Sequence, residues 1–457
     1  MDRMHKGQKT FLQSTSFHLL ENWSVQYLLE SKFSYNEKYE LTAIGDFLKR
    51  NKTPIVIEDT KEYKRVTIKV NNGGIFFRDV EYGKNIGTKK QFLIRKGQFL
   101  LSKIDARNGA FGVVPEEVDG AIITGNFWTF DVDYSKVNPY FLALITTTPE
   151  FIRFSEHASN GTTNRHYLQE NLFLAQKIPL PLLSEQNRIV EAYSNKIKQA
   201  EELEQKAKKL EEGIECFLFE KLGLEKVTIK QFKKGVINLF SFSSAFDRWD
   251  MHKDSSASLA SLKHAKYPII TLNEAFNFEK RGWKKNEHNS DYFDYIELGA
   301  IDPLNGIKES KKIAVKKAPS RAKQIIKKGD LIIGTTRPYL KRFAIVTEQF
   351  DENIASSGFQ VISPSESYNL EYLLEYLKSD YGIKQFEFFM TGALYPAITS
   401  KDLKKIKIPI PPISIQNEIA KRIKESKKEI HDLDQNSQIL KLTALKEFEN
   451  EIYKSCN

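Results

Sequence analysis

Two cysteines in 457 residues, Cys216 and Cys456, are too few and too far apart for a disulfide framework or a cysteine-based metal cluster. No apolar run reaches the roughly 18 residues that a membrane helix needs. The first residues, MDRMHKGQKTFLQ, are basic but lack the apolar core of a signal peptide, so a cytoplasmic protein is expected. Signatures of catalysis are as scarce. The eight histidines form no HExxH pair, and no Walker A run is present. Asn71-Asn72-Gly73-Gly74 reads as a turn, not as a dinucleotide loop. Asn138-Pro139-Tyr140 is one proline short of the NPPY of amino-methyltransferases, and its counterpart later in the chain is Asn369-Leu370-Glu371. A helix cap explains both copies and a catalytic motif only one. No carboxylate pair is placed for general acid–base work. No catalytic residue, metal site or cofactor is therefore expected in this chain.

What the sequence does contain is repetition. Lys177–Val190 (KIPLPLLSEQNRIV) and Lys407–Ala420 (KIPIPPISIQNEIA) share eight of fourteen positions at an offset of 230. Weaker matches keep an offset of 228–232: Tyr39–Leu48 with Tyr267–Phe276, Lys96–Val114 with Lys328–Val346, Asn138–Leu144 with Asn369–Glu375. Chance matches would scatter, so one domain and one helix have been duplicated. Each copy reads as a series of short β-rich runs, then a helix capped by Asn138 or Asn369, a glycine-containing loop and a proline-rich strand. The prolines of IPxP bar that strand from a sheet interior and make it a stiff outlet into the helix.

Beyond each outlet, apolar residues recur with heptad spacing. Tyr193, Ala200, Ala207 and Ile214 take a positions; Ile189, Lys196, Leu203, Leu210 and Phe217 take d positions. The same register gives Ile419, Ile423, Ile430, Leu433, Leu440 and Ala444 in the second copy, with Ser426 opposite Lys196 in phase, and it loosens toward the C-terminus. Two such stripes can satisfy each other as an antiparallel pair. Helices of about 35 residues would span about 50 Å, more than one turn of duplex DNA. The chain's net charge is +10, yet Ser184–Lys221 carries −2 and Ser414–Lys454 zero, so an excess of +12 lies outside the helices. That distribution suits two polyanion-binding bodies joined by neutral helices.

The paired β-rich domains, each ending in IPLPLLSEQNRIV or IPIPPISIQNEIA and running into a heptad helix, resemble the specificity subunit of type I restriction–modification systems. The resemblance covers essentially the whole chain. It implies an α+β fold with a pseudo-twofold internal repeat: a first target-recognition domain (1–183), a spacer helix (184–222), a second recognition domain (223–413) and a second spacer helix (414–457), the domains being separated by a two-helix antiparallel coiled coil. It further implies a non-enzymatic subunit. Each domain would read one half of a bipartite, asymmetric double-stranded DNA site. The helices would set the spacer and dock methyltransferase subunits, two in number, which would carry S-adenosylmethionine; restriction subunits are further partners. Residues just past the outlets (Glu185, Gln186, Asn187, Arg188; Gln416, Asn417, Glu418) are candidates for that docking, or caps of the helix start. The alternative is a non-enzymatic DNA-binding scaffold of the same architecture serving another defence complex.

Three loops carry the chemistry expected of a DNA contact. Arginine can read guanine bidentately, asparagine can read adenine, and lysine mostly meets phosphate. The loop after the KG-strand offers Lys103, Arg107 and Asn108 in the first copy and Arg337, Tyr339, Lys341 and Arg342 in the second. The glycine loop offers Thr162, Thr163, Asn164 and Arg165, matched by Tyr395. A basic run with one aromatic, Lys280, Arg281, Trp283 and Lys284, is the third; its counterpart is Lys49–Lys52. Each of these also fits an ordinary solvated turn.

Overall fold

The computed structural model describes residues 35–160, 167–225, 262–392 and 394–453. The chain forms two compact units: Met1–Glu201 with Ser437–Asn457, and Glu202–Asn436.

The first unit contains strands β1 (Leu41–Ala43), β2 (Leu48–Asn51), β3 (Pro54–Val56), β4 (Glu62–Lys69), β5 (Gly74–Tyr82), β6 (Lys90–Leu93), β7 (Phe99–Ser102), β8 (Phe111–Val113), β9 (Ile122–Ile123) and β10 (Phe127–Val132). Helices α1 (Pro139–Thr146) and α2 (Pro149–His157) follow, then β11 (Ser159–Asn160), β12 (Tyr167–Leu168), α3 (Glu170–Ala175), β13 (Lys177–Pro179) and the 40-residue α4 (Leu183–Leu222). One sheet has the order β2-β10-β7-β8, a second β3-β6-β9-β4-β5. Strand β7 is buried throughout and apolar from Phe99 to Leu101 because both of its faces are covered. Phe99 and Leu101 face the core made with α1 and α2, while Leu100 faces the core shared with the second sheet.

The second unit repeats this plan. Its elements are β14 (Ile269–Thr271), α5 (Leu272–Ala275), β15 (Phe278–Glu279), β16 (Tyr292–Ile296), β17 (Ile301–Asp302), β18 (Gly306–Ile307), β19 (Lys311–Ala314), β20 (Ala322–Ile325), β21 (Leu331–Gly334), β22 (Phe343–Ile345), β23 (Ile354–Ser356) and β24 (Phe359–Ile362). After them come α6 (Leu370–Lys378), α7 (Asp380–Phe389), α8 (Ser400–Leu403), β25 (Lys407–Pro409) and the 40-residue α9 (Ile413–Ile452). Its sheets run β15-β24-β21-β22 and β19-β16-β23-β20; these match β2-β10-β7-β8 and β5-β4-β9-β6 of the first unit, whose fifth strand β3 has no counterpart among the described residues. One parallel pair, β4–β9 or β16–β23, sits inside each otherwise antiparallel second sheet. In β21 the alternation recurs: Leu331 and Ile333 face the helices, Ile332 the other sheet.

The outlets behave as their prolines require. β13 pairs only with β1, and β25 only with β14, each as a two-stranded antiparallel edge. Asn138 and Asn369 cap α1 and α6, accepting from the N–H of Tyr140 and of Tyr372.

The heptad positions are the buried or half-buried ones along both long helices. Within the first unit the N-terminal part of α4 runs antiparallel to the C-terminal part of α9: Arg188 pairs with Glu451 at 2.9 Å and Lys196 with Glu447 at 2.5 Å. Within the second unit Lys206 pairs with Glu429 and Lys221 with Glu418, again antiparallel. The heptad register breaks at the end of α9, in keeping with its loosening in the sequence: the in-register Glu447 is exposed and burial passes to neighbouring positions. Phe448 and Ile452 are buried, with Phe448 edge-on to Phe141 of α1 at 6.3 Å. Tyr453 stacks on Tyr35 at 5.3 Å. The heptad pattern changes there because the helix packs on a domain as well as on its partner helix.

Candidate nucleic-acid interface

The loop after β7 is built against β12, which follows the glycine loop, and the loop after β21 against Pro396–Ile398 of the second unit. In the first unit the carbonyl of Lys103 accepts the N–H of Leu168 at 2.8 Å, and the Lys103 ammonium lies 5.3 Å from the centre of the Tyr167 ring. In the second, the N–H of Ile398 donates to Thr335 at 2.9 Å, and the Arg337 guanidinium lies 5.2 Å over the Tyr395 ring. One seam bond thus recurs in both copies, and each copy places a cation on a tyrosine face. Such a pair is attractive by itself, and it presents a charge and a flat ring side by side. Tyr167 and Leu394 carry no charge signal in the sequence and lie outside the expected set; the contacts bring them in. Thr162, Thr163, Asn164 and Arg165 lie outside the described residues.

The contact turns differ in backbone. In the first unit Arg107 and Asn108 sit in a single 3-10 turn, Ala106–Asn108, closed by Gly109 at φ +74°. Asn71 and Asn72, the tip of the β4–β5 hairpin, buttress that turn by donating N–H groups to the carbonyls of Asn108 (2.6 Å) and Gly109 (3.1 Å). In the second unit Arg337 and Lys341 both adopt left-handed backbone, φ +50° and +53°, around Pro338–Leu340. Each costs about 1–2 kcal/mol for a residue with a Cβ. Strain of this kind persists where surrounding bonds over-determine it, and it clusters at functional sites. Tyr339 is exposed on this turn, while Arg342 is half-buried and its carbonyl accepts the N–H of Gly334 at 3.0 Å. Lys341 lines a cleft of about 820 Å³ together with Lys378, Glu375 and Lys427. Burial lowers the Lys378 ammonium to about 8 while it donates to the Pro303 carbonyl at 2.7 Å.

The third expected loop is divided by the structure. Arg281 is committed inside the unit, with a bidentate pair to Asp330 at 2.6 and 2.8 Å; the Asp330 side chain is only 1% exposed. Trp283 is buried, 4.7 Å from the Phe293 ring, and its indole N–H reaches His288 at 3.3 Å. The expectation for this run is thereby narrowed to Lys280 and Lys284, both exposed, the latter paired with Glu287. The matched Arg50 is likewise turned inward, donating to the Thr129 carbonyl at 2.8 Å.

The residues past the outlets are engaged within their own units. Gln186, fully buried, accepts the N–H of Asn138 at 2.8 Å and donates to the carbonyls of Lys136 and Pro181. Gln416 accepts the N–H of Asn369 at 2.9 Å and donates to Pro411. The neighbouring Asn187 and Asn417 bond the same capping asparagines at 2.8 and 2.7 Å. Both copies of Q-N therefore clamp the start of the long helix to the cap of a domain helix, which is why the motif recurs. Glu185, whose carboxyl is held at about 2 by the Arg188 guanidinium, belongs to an ion cluster with Lys38 and Glu451. Glu418 pairs with Lys221.

Among the described residues no group of side chains could hold a metal ion, and no helix is long and apolar enough to cross a membrane.

Two β-rich domains of one topology, each with a cation–tyrosine seam and an outlet clamped to a long helix, define a duplicated recognition-type protein, and comparison with known proteins agrees. The model of the type I restriction modification DNA specificity domain matches residues 36–212 and again 266–441, so the chain belongs to that family. It is similar to the putative type I restriction enzyme MjaX specificity subunit of Methanocaldococcus jannaschii, 24% identical over 299 residues, 64% of this chain and 61% of the relative. The MjaVIII specificity subunit of the same organism is 24% identical over 405 residues, 85% of this chain and 86% of that one. A solved chain from work on complex assembly and conformational transition of the type I R-M system shares the fold, with a TM-score of 0.55 at 17% identity over 92% of this chain and 99% of that one.

Proposed function

We propose that this chain is the non-catalytic, DNA-reading subunit of a type I restriction–modification assembly. Each unit reads one half of a bipartite, asymmetric double-stranded site, and α4 with α9 sets the spacer. The long helices dock methyltransferase subunits, which bring S-adenosylmethionine and the chemistry; restriction subunits complete the assembly, in the cytoplasm. The observation that carries this reading is the seam repeated in both units, a cation laid on a tyrosine where two loops meet. One backbone hydrogen bond of that seam recurs in the two copies, Leu168 to Lys103 and Ile398 to Thr335, while the turns beside it differ in conformation and side chains. A duplicated frame with different tips suits two unlike half-sites. Specificity in that case comes from base-edge contacts and affinity from phosphate contacts.

The test is the methylated motif. The chain with its methyltransferase partner should methylate one split sequence, mapped by sequencing of modified genomic DNA. Arg107→Ala and Arg337→Ala should each relax a different half of it, by about 1–3 kcal/mol if the contact is bidentate. A single substitution that altered both halves would sink the two-reader model.

A further inference from the structure

The second unit ends one of its contact loops in an apolar point. Leu394 is 81% exposed and Tyr395 72%, side by side at the end of the loop that seams with Arg337. A single exposed apolar side chain needs no explanation. Two adjacent ones at the end of a loop, one of them stacked under a guanidinium, form a distinct feature. Reciprocal hydrogen bonds between Thr391 and Ala397, at 2.8 and 2.9 Å, close the loop. The Arg337 N–H donates to the Pro396 carbonyl at 2.7 Å, and its guanidinium donates to the Leu394 carbonyl at 3.2 Å while covering one face of Tyr395. Gly392 takes φ +101°, and a Cβ there would lie 3.1 Å from the Tyr395 carbonyl oxygen. The described residues of the tip are thus tied to one another and to Arg337 by hydrogen bonds, with the Leu394 and Tyr395 side chains exposed.

We infer that Leu394 and Tyr395 form a wedge that enters a base step of duplex DNA, so that the second unit reads its half-site partly through the ease with which that step unstacks. This rests on the reading of the chain as a DNA-recognition subunit and adds the mode of recognition. The chemistry matches one occupant. A duplex offers an apolar interior between stacked bases, bordered by phosphate. Leu394 can replace the stacking lost when a step opens, and the free face of Tyr395 can stack on an exposed base. Arg337 lies directly behind the ring and braces it on the side away from its free face. Pyrimidine–purine steps unstack most readily, so the half-site read by this unit is expected to contain one.

The experiment uses the full chain purified with its methyltransferase partner and a cognate duplex carrying 2-aminopurine at successive positions. Fluorescence should rise severalfold at one step within the half-site that Arg337→Ala relaxes. It should stay at the free-duplex level through the other half, the base to be methylated being set aside because the partner must extrude it. Leu394→Ala and Tyr395→Ala should abolish the rise and weaken binding about tenfold, equivalent to about 1.4 kcal/mol. Leu394→Met should retain both. Exposure makes these variants safe for folding, and circular dichroism checks that. Tight cognate binding without any rise in that half, or a rise that survives Leu394→Ala, would overturn the wedge and leave the recognition reading intact. Loss of the methyltransferase subunit from the Leu394→Ala complex, with DNA behaviour unchanged, would also overturn it by assigning the tip to a protein. A wild-type complex that bound cognate and scrambled duplexes equally would overturn both readings.

Discussion

Gln98 in the first unit and Asp330 in the second stand at the same point of the repeat, just after a lysine–glycine turn, and they do the same job inward and different jobs outward. Inward, each side chain accepts a backbone N–H of its turn: Arg95 to Gln98 at 2.8 Å, Lys327 to Asp330 at 2.7 Å. Outward, the Gln98 amide donates to Asp131 at 2.7 Å, whereas Asp330 accepts both prongs of Arg281. The duplication has kept backbone geometry and exchanged side-chain chemistry around it. The same division runs through each unit. Sheet order, outlet strand, helix caps and the Q-N clamp are common; the turns after β7 and β21, Arg107 against Tyr339 and Gly109 against Lys341, are not. A frame with fixed hydrogen bonding and free tips lets recognition change without a change of fold.

The sharpest way to break that comparison is to remove Arg281. Arg281→Ala leaves a carboxylate with almost no solvent access, and breaking such a pair from one side costs about 3–5 kcal/mol. Burial already pushes the Asp330 carboxyl up, against the pull of the Lys327 N–H and Arg281, and the variant should push it further. A carboxyl with a folded pKa above its unfolded one binds protons more readily when folded, so the variant should recover stability as pH falls from 8 to 5. In the first unit Asp131→Ala takes the partner only from neutral amides, the buried one of Gln98 and the solvent-exposed one of Asn51, and should cost about 1 kcal/mol. Chemical denaturation of the full chain, followed at both pH values, measures the contrast. A loss below about 1 kcal/mol for Arg281→Ala would show that Asp330 finds water or another partner.

The clamp offers a finer contrast. Gln186 makes three hydrogen bonds and Gln416 two of the same kind. Gln186→Leu should cost about 2–3 kcal/mol by leaving a buried N–H and two carbonyls unpaired, and Gln416→Leu somewhat less. Equal losses in thermal unfolding would mean that the bond to the Lys136 carbonyl contributes nothing. The clamp also marks the limit of what the sequence could tell. The repeat, its offset, the capping role of Asn138 and Asn369, the proline outlets and the heptad seam were legible, because each rests on local spacing or backbone rules. The partners of Gln186 and Gln416 were not: a glutamine before a helix looks the same whether it faces solvent or spans 48 residues to Asn138. Arg281 and Trp283 were misleading for the same reason. A basic run with an aromatic suits a polyanion until tertiary packing supplies Asp330 and Phe293. Leu394 was silent, since exposure of an apolar residue is a property of the folded loop.

The smallest effect separates the two units at a single backbone position. Gly109 and Lys341 occupy equivalent places, and both are left-handed, at φ +74° and +53°. Glycine takes that conformation freely and lysine does not. Lys341→Gly should therefore stabilise the second unit by about 1 kcal/mol, read as a rise in the denaturation midpoint. It should also weaken binding of the cognate duplex if the side chain is what the strain is kept for. The reverse exchange has no such freedom: a Cβ at Gly109 would lie 2.5 Å from the Asn72 side-chain oxygen and 3.0 Å from its backbone nitrogen. Gly109→Lys should displace the hairpin tip and destabilise the first unit. The asymmetry follows from what supports each turn, since the first leans on Asn71 and Asn72 and the second on the seam with Pro396. If Lys341→Gly raised stability and left DNA affinity untouched, the left-handed lysine would be a relic of the duplication, and the contact surface of the second unit would shrink to Arg337 and the loop tip.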